Sequence, residues 1–259
     1  MTLYDTIGKG YNNTRRADPY IAGRLYELLH PRPGGRYLDI GCGTGNYLEA
    51  LSKKGLSFYG VDPSATMLDA ARRKDTGAEL LQASAEDVDL PDAFFDGCVA
   101  VLTFHHWVNR AQGLKEIKRL LKPGAGMVLF SFTPEQVQQY WLQHYFPLMI
   151  EKCLYTTPAL NDMKKLFYDA GFTMVETEPY FVHPALQDLF MYAGKHAPER
   201  YLDTAFRDGI SAFRTLISNE ELEEGLARLS EDIRTNAIQE VMRRYDNDDG
   251  DYIFFIARA

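Results

Sequence analysis

The 259-residue chain has only three cysteines, and their spacing excludes several classes of protein. Cys42, Cys98 and Cys153 lie far apart, and no CxxC pair occurs. An odd number of scattered cysteines does not supply a disulfide framework, a cysteine zinc site or the three-cysteine iron–sulfur cluster of radical enzymes. The pattern therefore predicts a reducing, cytoplasmic location and no resident metal.

The sequence also has no long apolar run and no excess of basic charge. No stretch reaches the ~18 apolar residues that a membrane-spanning helix needs, and residues 1–10 do not have the pattern of a signal peptide. Lys and Arg number 28 against 36 Asp and Glu, which gives a formal net charge of −8. Nucleic-acid-binding proteins usually present a basic surface that displaces counterions. We therefore expect no membrane span and no nucleic-acid partner.

Short apolar strands alternate with amphipathic helices along the first half of the chain. The alternation predicts parallel strands joined by crossover helices, in a doubly wound α/β sheet. Two later strands complete a mostly parallel sheet of seven. The predicted strands cover residues 36–40, 56–61, 79–83, 97–103, 127–132, 172–182 and 252–257.

Two helical insertions follow the fifth and sixth predicted strands, at about residues 133–157 and 184–245. Within the first insertion, Pro147 is expected to kink or end a helix. Neither a repeat nor a low-complexity linker divides the chain. A single domain over residues 1–259 is therefore expected.

The segment 37–46, YLDIGCGTGN, places three glycines at alternate positions directly after the first strand. Such a turn lets a ligand approach the backbone closely. The dinucleotide fingerprint GxGxxG needs its third glycine where this chain has Asn46, and Gly45 gives the spacing GxGxG instead. Asp39 just before the turn disfavours a phosphate and favours an ammonium group. An NAD(P)-dependent oxidoreductase therefore remains only as an alternative.

Together with GVDPSATML at residues 60–68, this turn resembles the class I S-adenosylmethionine-dependent methyltransferases, in the branch called type 11 or UbiE-like. The resemblance covers about residues 37–132, within a cofactor-binding core of residues 36–132. It implies a Rossmann-like fold, S-adenosylmethionine as cofactor, S-adenosylhomocysteine as product, and in-line methyl transfer to a small-molecule acceptor. A second alternative is a protein that binds this cofactor without catalysis. The acceptor, the atom methylated and the oligomeric state are not predicted.

The resemblance also assigns the cofactor contacts. Asp62 ends the second strand and accepts hydrogen bonds from the ribose hydroxyls, while Asp39 faces the ammonium. Arg15 or Arg16 neutralises the carboxylate, and Arg16 is the predicted choice. Ser84 stands where the family usually has an aspartate. The complete predicted set is Tyr11, Arg16, Asp39, Gly41, Gly43, Gly45, Asp62, Pro63, Met67, Ser84, Ala85, Glu86 and Thr103.

The segment TFHHW at residues 103–107 resembles the place where the family's cofactor meets its substrate. His105 and His106 are candidate general bases, with packing or hydrogen bonding as the alternative. The two helical insertions are predicted to form a lid over the substrate. Aromatic residues at helical spacing are more often core than pocket, so both interpretations stay open for this set. The predicted walls of the acceptor pocket are Phe104, Trp107, Tyr140, Trp141 and Tyr145, and the further candidates are Phe146, Phe181, Phe190, Tyr192 and Phe213.

Overall fold

A computed structural model describes residues 15–259, so the predicted contact at Tyr11 lies outside the described residues. Its centre is a sheet of seven strands. They are β1 (Arg36–Ile40), β2 (Ser57–Asp62), β3 (Glu79–Gln82), β4 (Phe95–Val101), β5 (Leu121–Ser131), β6 (Met174–Tyr180) and β7 (Tyr252–Arg258).

The strand order is β3-β2-β1-β4-β5-β7-β6. The strands β1 to β5 pair in parallel, and β7 runs antiparallel to both β5 and β6. The central strands are buried on both faces: Val99 of β4 packs into one hydrophobic cluster, and Cys98 and Ala100 pack into the other. The predicted doubly wound, mostly parallel seven-stranded sheet is confirmed.

Helices cover both faces of the sheet, and their ends follow ordinary capping chemistry. The first begins at Pro19, and Oδ1 of Asp18 accepts hydrogen bonds from the Tyr20 and Ile21 N–H groups. The α-helices are α1 (Pro19–Leu29), α2 (Asn46–Ser52), α3 (Ala65–Arg72), α4 (Arg110–Leu120), α5 (Pro134–Val137), α6 (Pro147–Leu154), α7 (Leu160–Asp169), α8 (Thr204–Asp208), α9 (Ser211–Thr215), α10 (Asn219–Arg234) and α11 (Ile238–Arg244). Short 3-10 helices cover Phe104–His106, Trp141–His144 and Pro198–Leu202.

The two insertions are less regular than the sequence predicts. The helix expected before Pro147 breaks after α5, because Tyr140 turns into the core and stacks on Tyr192 with ring centroids 4.0 Å apart. Pro147 begins α6 instead of kinking or ending a helix, as suits a residue with a fixed φ and no N–H donor. In the second insertion, residues 184–197 form turns rather than helix.

Within residues 15–259, no helix has the length and apolar character that crossing a membrane requires. The same residues contain no cluster of three or more His, Cys, Asp or Glu side chains suited to a metal ion.

Candidate active site

A cleft opens at the carboxyl ends of the central parallel strands, where α/β sheets usually bind ligands. Its walls come from the glycine turn after β1, the ends of β2 and β4, the residues before α1 and one residue of the second insertion. They are Arg15, Asp39, Gly41, Cys42, Gly43, Thr44, Asn46, Tyr47, Asp62, Met67, Val101, Leu102, Thr103, His106 and Asp188.

The glycine turn lets β1 and β4 end in direct contact. Gly41 has φ +72°, and a Cβ placed on it would collide with the Thr103 side chain. Gly43 has φ +54°, and a Cβ placed there would meet nothing within 4 Å. The first glycine therefore closes the base of the cleft, and the second leaves open space against the backbone.

The carboxylate of Asp62 is fixed by the backbone around it. One oxygen accepts a hydrogen bond from the Gly43 N–H at 2.9 Å, and the other accepts one from the Ser64 N–H at 2.9 Å. These two bonds hold the carboxylate in place at the wall of the cleft.

Asp39 is a buried carboxyl group that lines the same cleft, with only 2% of its surface exposed. Burial, together with the nearby charge of Asp62, raises its pKa to about 7. A cation bound beside it would stabilise the ionised form. The hydroxyl of Thr44 is also buried in the cleft and has no hydrogen-bond partner among residues 15–259. Both groups fit a polar, partly cationic ligand.

Arg15 reaches the cleft and is held there by the second insertion. Its Nε lies 2.5 Å from one Asp188 oxygen and its Nη2 lies 3.2 Å from the other. The Tyr47 hydroxyl donates to the same carboxylate at 3.0 Å, and the Asn46 side chain donates to the Arg15 carbonyl at 3.1 Å. Asp188 had no sequence signal, although it positions the guanidinium.

The prediction for Arg16 is corrected. Its side chain is exposed and lines a separate surface groove beside Glu49 and Lys53. Neighbouring residues of an extended segment point in opposite directions, so Arg15 faces the cleft and Arg16 faces away. Of the two arginines that the sequence offered, the structure brings Arg15 to the site.

The other predicted cofactor residues lie in three places. Met67 and Thr103 line the cleft, and Gly45 precedes α2 and packs towards Ala71. A third set lies at or beyond the ends of β2 and β3, outside the cleft lining. Its members are Pro63, Ser84, Ala85 and Glu86. Glu86 accepts a hydrogen bond from the Asn109 N–H at 3.0 Å, just before α4.

A second cavity adjoins the cleft. Arg15, Leu102 and His106 line both spaces, so they mark the place where the two meet. The two insertions supply most of the remaining walls. These are His105, Phe132, Cys153, Thr156, Phe190, Met191, Gly209, Ile210, Ser211, Ala212, Thr215, Leu216 and Tyr252.

The structure brings both predicted histidines to this second cavity. The rings of His105 and His106 lie 3.8 Å apart, and only His106 also reaches the cleft. Burial and the cations Arg15 and Arg110 lower the pKa of His106 to about 4, and the pKa of His105 lies well below its usual value. Both rings are therefore neutral at pH 7, and Nδ1 of His105 has no hydrogen-bond partner among the described residues.

The predicted aromatic walls lie elsewhere, which corrects that part of the sequence interpretation. Phe104 and Trp107 pack on each other in the core, with ring centroids 4.9 Å apart. Neither lines the cleft or the adjoining cavity.

The three residues of the first insertion that were predicted as pocket walls are also core. The Tyr140 hydroxyl donates to the Asp251 carbonyl, the Trp141 indole donates to the Lys195 carbonyl, and the Tyr145 hydroxyl donates to Asp232. Their polar atoms form hydrogen bonds inside the protein, and none of the three residues lines the cavity. The aromatic residues that do line the cavity are Phe132, Phe190 and Tyr252.

Comparison with known proteins agrees with this geometry. A family model described as a methyltransferase domain matches residues 38–129. The chain is 29% identical over 163 residues to the ubiquinone/menaquinone biosynthesis C-methyltransferase UbiE of Geotalea daltonii, covering 57% of this chain and 69% of that protein.

A crystal structure shows the same likeness over nearly the whole chain. It is of a methyltransferase assigned to an antibiotic biosynthesis pathway of Anabaena variabilis. The identity is 31%, the TM-score is 0.82, and the match covers 94% of this chain and 98% of that one.

A relative named as a tRNA methyltransferase shows similarity to this chain. The prediction that the chain has no nucleic-acid partner is therefore not supported. The mouse tRNA (carboxymethyluridine(34)-5-O)-methyltransferase ALKBH8 is 31% identical over 138 residues, which span 52% of this chain and 20% of that protein.

The near full-length match decides against the oxidoreductase alternative and agrees with the carboxylates and open glycine turn of the cleft. The cofactor is S-adenosylmethionine. The chain is an enzyme that belongs to the class I S-adenosylmethionine-dependent methyltransferases, in their UbiE-like branch.

Proposed function

We propose that this methyltransferase acts on a small-molecule acceptor with a largely apolar body, bound in the cavity beside the cofactor cleft. The observation that carries the proposal is the meeting of the two spaces at Arg15, Leu102 and His106. Ligand pockets of small molecules are typically concave, mostly apolar and equipped with a few polar groups. The cavity has this character, with Phe132 and Phe190 among its apolar walls.

In this proposal, side chains of the cleft hold the cofactor by charge and hydrogen bonds. Asp62 accepts from the ribose hydroxyls, Asp39 faces the ammonium and Arg15 faces the carboxylate. Met67 lies at the adenine end, together with the residues just outside the cleft lining. Those residues are Pro63, Ser84, Ala85 and Glu86.

When bound, S-adenosylmethionine supplies a methyl group that its sulfonium makes electrophilic. The protein's own task is to align the acceptor and exclude water. His106 stands where the two spaces meet, and its neutral ring provides a hydrogen-bonding group beside the reacting atoms. No covalent contribution from a side chain is needed.

The two insertions act in this proposal as the lid over the acceptor. The observation in favour is that Cys153, Met191 and Ala212, which come from both insertions, line the cavity. The named activity of UbiE, in the biosynthesis of ubiquinone and menaquinone, is consistent with a small, apolar acceptor. The net charge of −8 does not favour a tRNA substrate.

The test is to measure S-adenosylhomocysteine formation against a panel of aromatic and aliphatic metabolites, with cofactor binding followed beside it. We expect turnover of at least one uncharged or acidic aromatic compound. Tight cofactor binding without turnover of any compound would favour a protein that binds the cofactor without catalysis.

A variant tests the cavity itself. Ala212→Leu adds bulk to the cavity wall, so the acceptor KM should rise while cofactor affinity stays unchanged. Ala237→Leu, at an exposed position, is the matched control and should change neither. An unchanged acceptor KM in Ala212→Leu would show that the acceptor binds outside this cavity.

A further inference from the structure

The cavity beside the cofactor cleft is lined by cationic and neutral side chains, with no carboxylate among its described lining residues. Arg15 is the charged member of this lining, and its partner Asp188 lines the cleft and not the cavity. An ammonium group in the cavity would therefore find no counter-ion on the described part of its walls.

A second cation, Arg110, lies behind the two histidines. Its guanidinium donates to the carbonyls of Phe104 (3.2 Å), His105 (3.4 Å) and Thr156 (2.5 Å). Every partner is a carbonyl, and no Asp or Glu within residues 15–259 forms an ion pair with it. Its positive charge is therefore uncompensated by a carboxylate and contributes to the potential at the histidine wall.

Among the described residues of the cavity wall, no side chain is suited to remove a proton from a neutral acceptor at pH 7. Among the described residues, Arg15 and Arg110 are the charged groups near both histidines, and together with burial they lower the pKa of His106 to about 4. Burial also raises the pKa of Cys153 to about 12. A general base works best with a pKa near the working pH. An acceptor that has already lost its proton needs no such base.

We propose that the reacting group of the acceptor is an oxygen acid bound as its anion, a carboxylate or an ionised phenol or enol, and that the cavity rejects amines. This inference rests on the proposed function, because it concerns the acceptor of that reaction. It is carried by the placement of Arg110 beside a cavity whose described walls hold no carboxylate.

The step balances without a base. An oxygen lone pair of the bound anion, or the carbon conjugated to that oxygen, forms the new bond to the methyl carbon. The carbon–sulfur bond breaks, and its electron pair goes to the sulfur, which becomes a neutral thioether. When oxygen is methylated, no proton moves. When the conjugated carbon is methylated, the proton on that carbon leaves afterwards to solvent. Attack by an amine would instead require deprotonation of an ammonium group beside Arg15 and the cofactor's own positive charge.

Three probes of nearly one shape test the charge preference: naphthalene-1-carboxylate, 1-naphthylmethanol and 1-naphthylmethylammonium. Their dissociation constants are measured by calorimetry at pH 7.5, on the full chain saturated with S-adenosylhomocysteine. We expect the carboxylate to bind at least tenfold more tightly than the ammonium, with the alcohol between them. Equal affinities or the reverse order would overturn the inference and leave the proposed function standing. Binding of none of the three would overturn the proposed acceptor cavity and the inference with it.

Variants of Arg110 assign the preference to its charge. The ratio of carboxylate to alcohol affinity should fall several-fold in Arg110→Gln and remain in Arg110→Lys, which keeps the charge. Arg234→Gln, an exposed residue paired with Glu231, is the control. Because the ratio is taken within each protein, general damage to the cavity cancels. If Arg110→Gln does not fold, added salt replaces it as the test. Salt should weaken binding of the carboxylate probe and leave binding of the alcohol probe unchanged. An unchanged ratio in folded Arg110→Gln, or equal effects of salt on both probes, would contradict the role of Arg110.

Discussion

Contact between Gly41 and Thr103 joins the ends of two parallel strands at the base of the cleft. Gly41→Ala adds a Cβ that collides with Thr103, in addition to the cost of a left-handed backbone. Gly34→Ala is the matched control, because Gly34 has φ +71° and open space around its Cβ. Gly34→Ala should cost about 1–2 kcal/mol, and Gly41→Ala about 1–3 kcal/mol more. Urea unfolding measures both, and equal losses would show that the contact is unimportant.

Asp62 is expected to dominate ribose recognition. Asp62→Ala removes a charged acceptor from the cleft and also frees the N–H groups of Gly43 and Ser64. Hydrogen bonds to charged groups contribute about 1.5–3 kcal/mol, so S-adenosylmethionine should bind on the order of 10- to 100-fold more weakly. Asp69→Ala, on the exposed side of α3, should bind normally. Unchanged affinity in Asp62→Ala would count against the site as a whole.

The carboxyl group of Asp39 predicts a pH dependence of cofactor binding. Its pKa is raised to about 7 in the free protein, chiefly by burial, and an ammonium group beside it would lower that pKa. The bound state then holds fewer protons, so affinity should fall as pH drops below 7, by up to about tenfold per unit, and level off above 7. Asp39→Asn should bind weakly at every pH. Equal affinity of the unmodified protein at pH 6 and pH 8 would contradict this.

Single residues of the cleft were predictable where the chain is locally constrained. Asp39, Gly41 and Asp62 belong to strand ends and a tight turn, so their spacing alone brings them together. Arg16 was predicted wrongly because the direction of a side chain in an extended segment depends on what it packs against. Asp188 carries no sequence pattern at all, since its place is set by a contact with Arg15 far away in the chain.

At the scale of elements, residues 184–197 link the beginning of the fold to the cavity. Asp188 of this segment binds Arg15 and Tyr47 in the cleft, the Gln187 N–H donates to Asp18 at 3.0 Å, and Phe190 lines the cavity. The segment was expected to be helical. Its buried polar contacts replace the hydrogen bonds of a helix, and sequence periodicity does not register such contacts.

Asp188→Asn tests this link. The carboxylate is 1% exposed, and the substitution removes the buried charge that pairs with Arg15. We expect the free energy of unfolding to fall by about 3 kcal/mol. In a protein that already carries Arg15→Met, Asp188→Asn should lower the free energy of unfolding by less than it does in the unmodified protein. Glu231→Gln, which breaks an exposed pair on α10, is the control and should cause no measurable change. A loss in Asp188→Asn no larger than in the control would show that the pair does not hold the segment.

At the scale of the whole molecule, the sheet was predictable, whereas only Phe190 among the aromatic walls of the acceptor cavity was. The seven strands are predictable because the apolar pattern of each strand and helix shows which of its faces is buried. Tyr140 and Trp141 are of the residue types that often line a pocket, but they pack in the core. The cavity is lined instead by Phe132, Phe190 and Tyr252, which come from three distant parts of the chain.

The central claim is that the cofactor cleft and the acceptor cavity meet at His106. The most direct measurement is a crystal structure of the chain with S-adenosylhomocysteine bound. We expect its ribose on Asp62 and its sulfur beside Leu102 and His106, facing the cavity lined by Phe190. A sulfur turned away from that cavity, or a ribose distant from Asp62, would contradict the account.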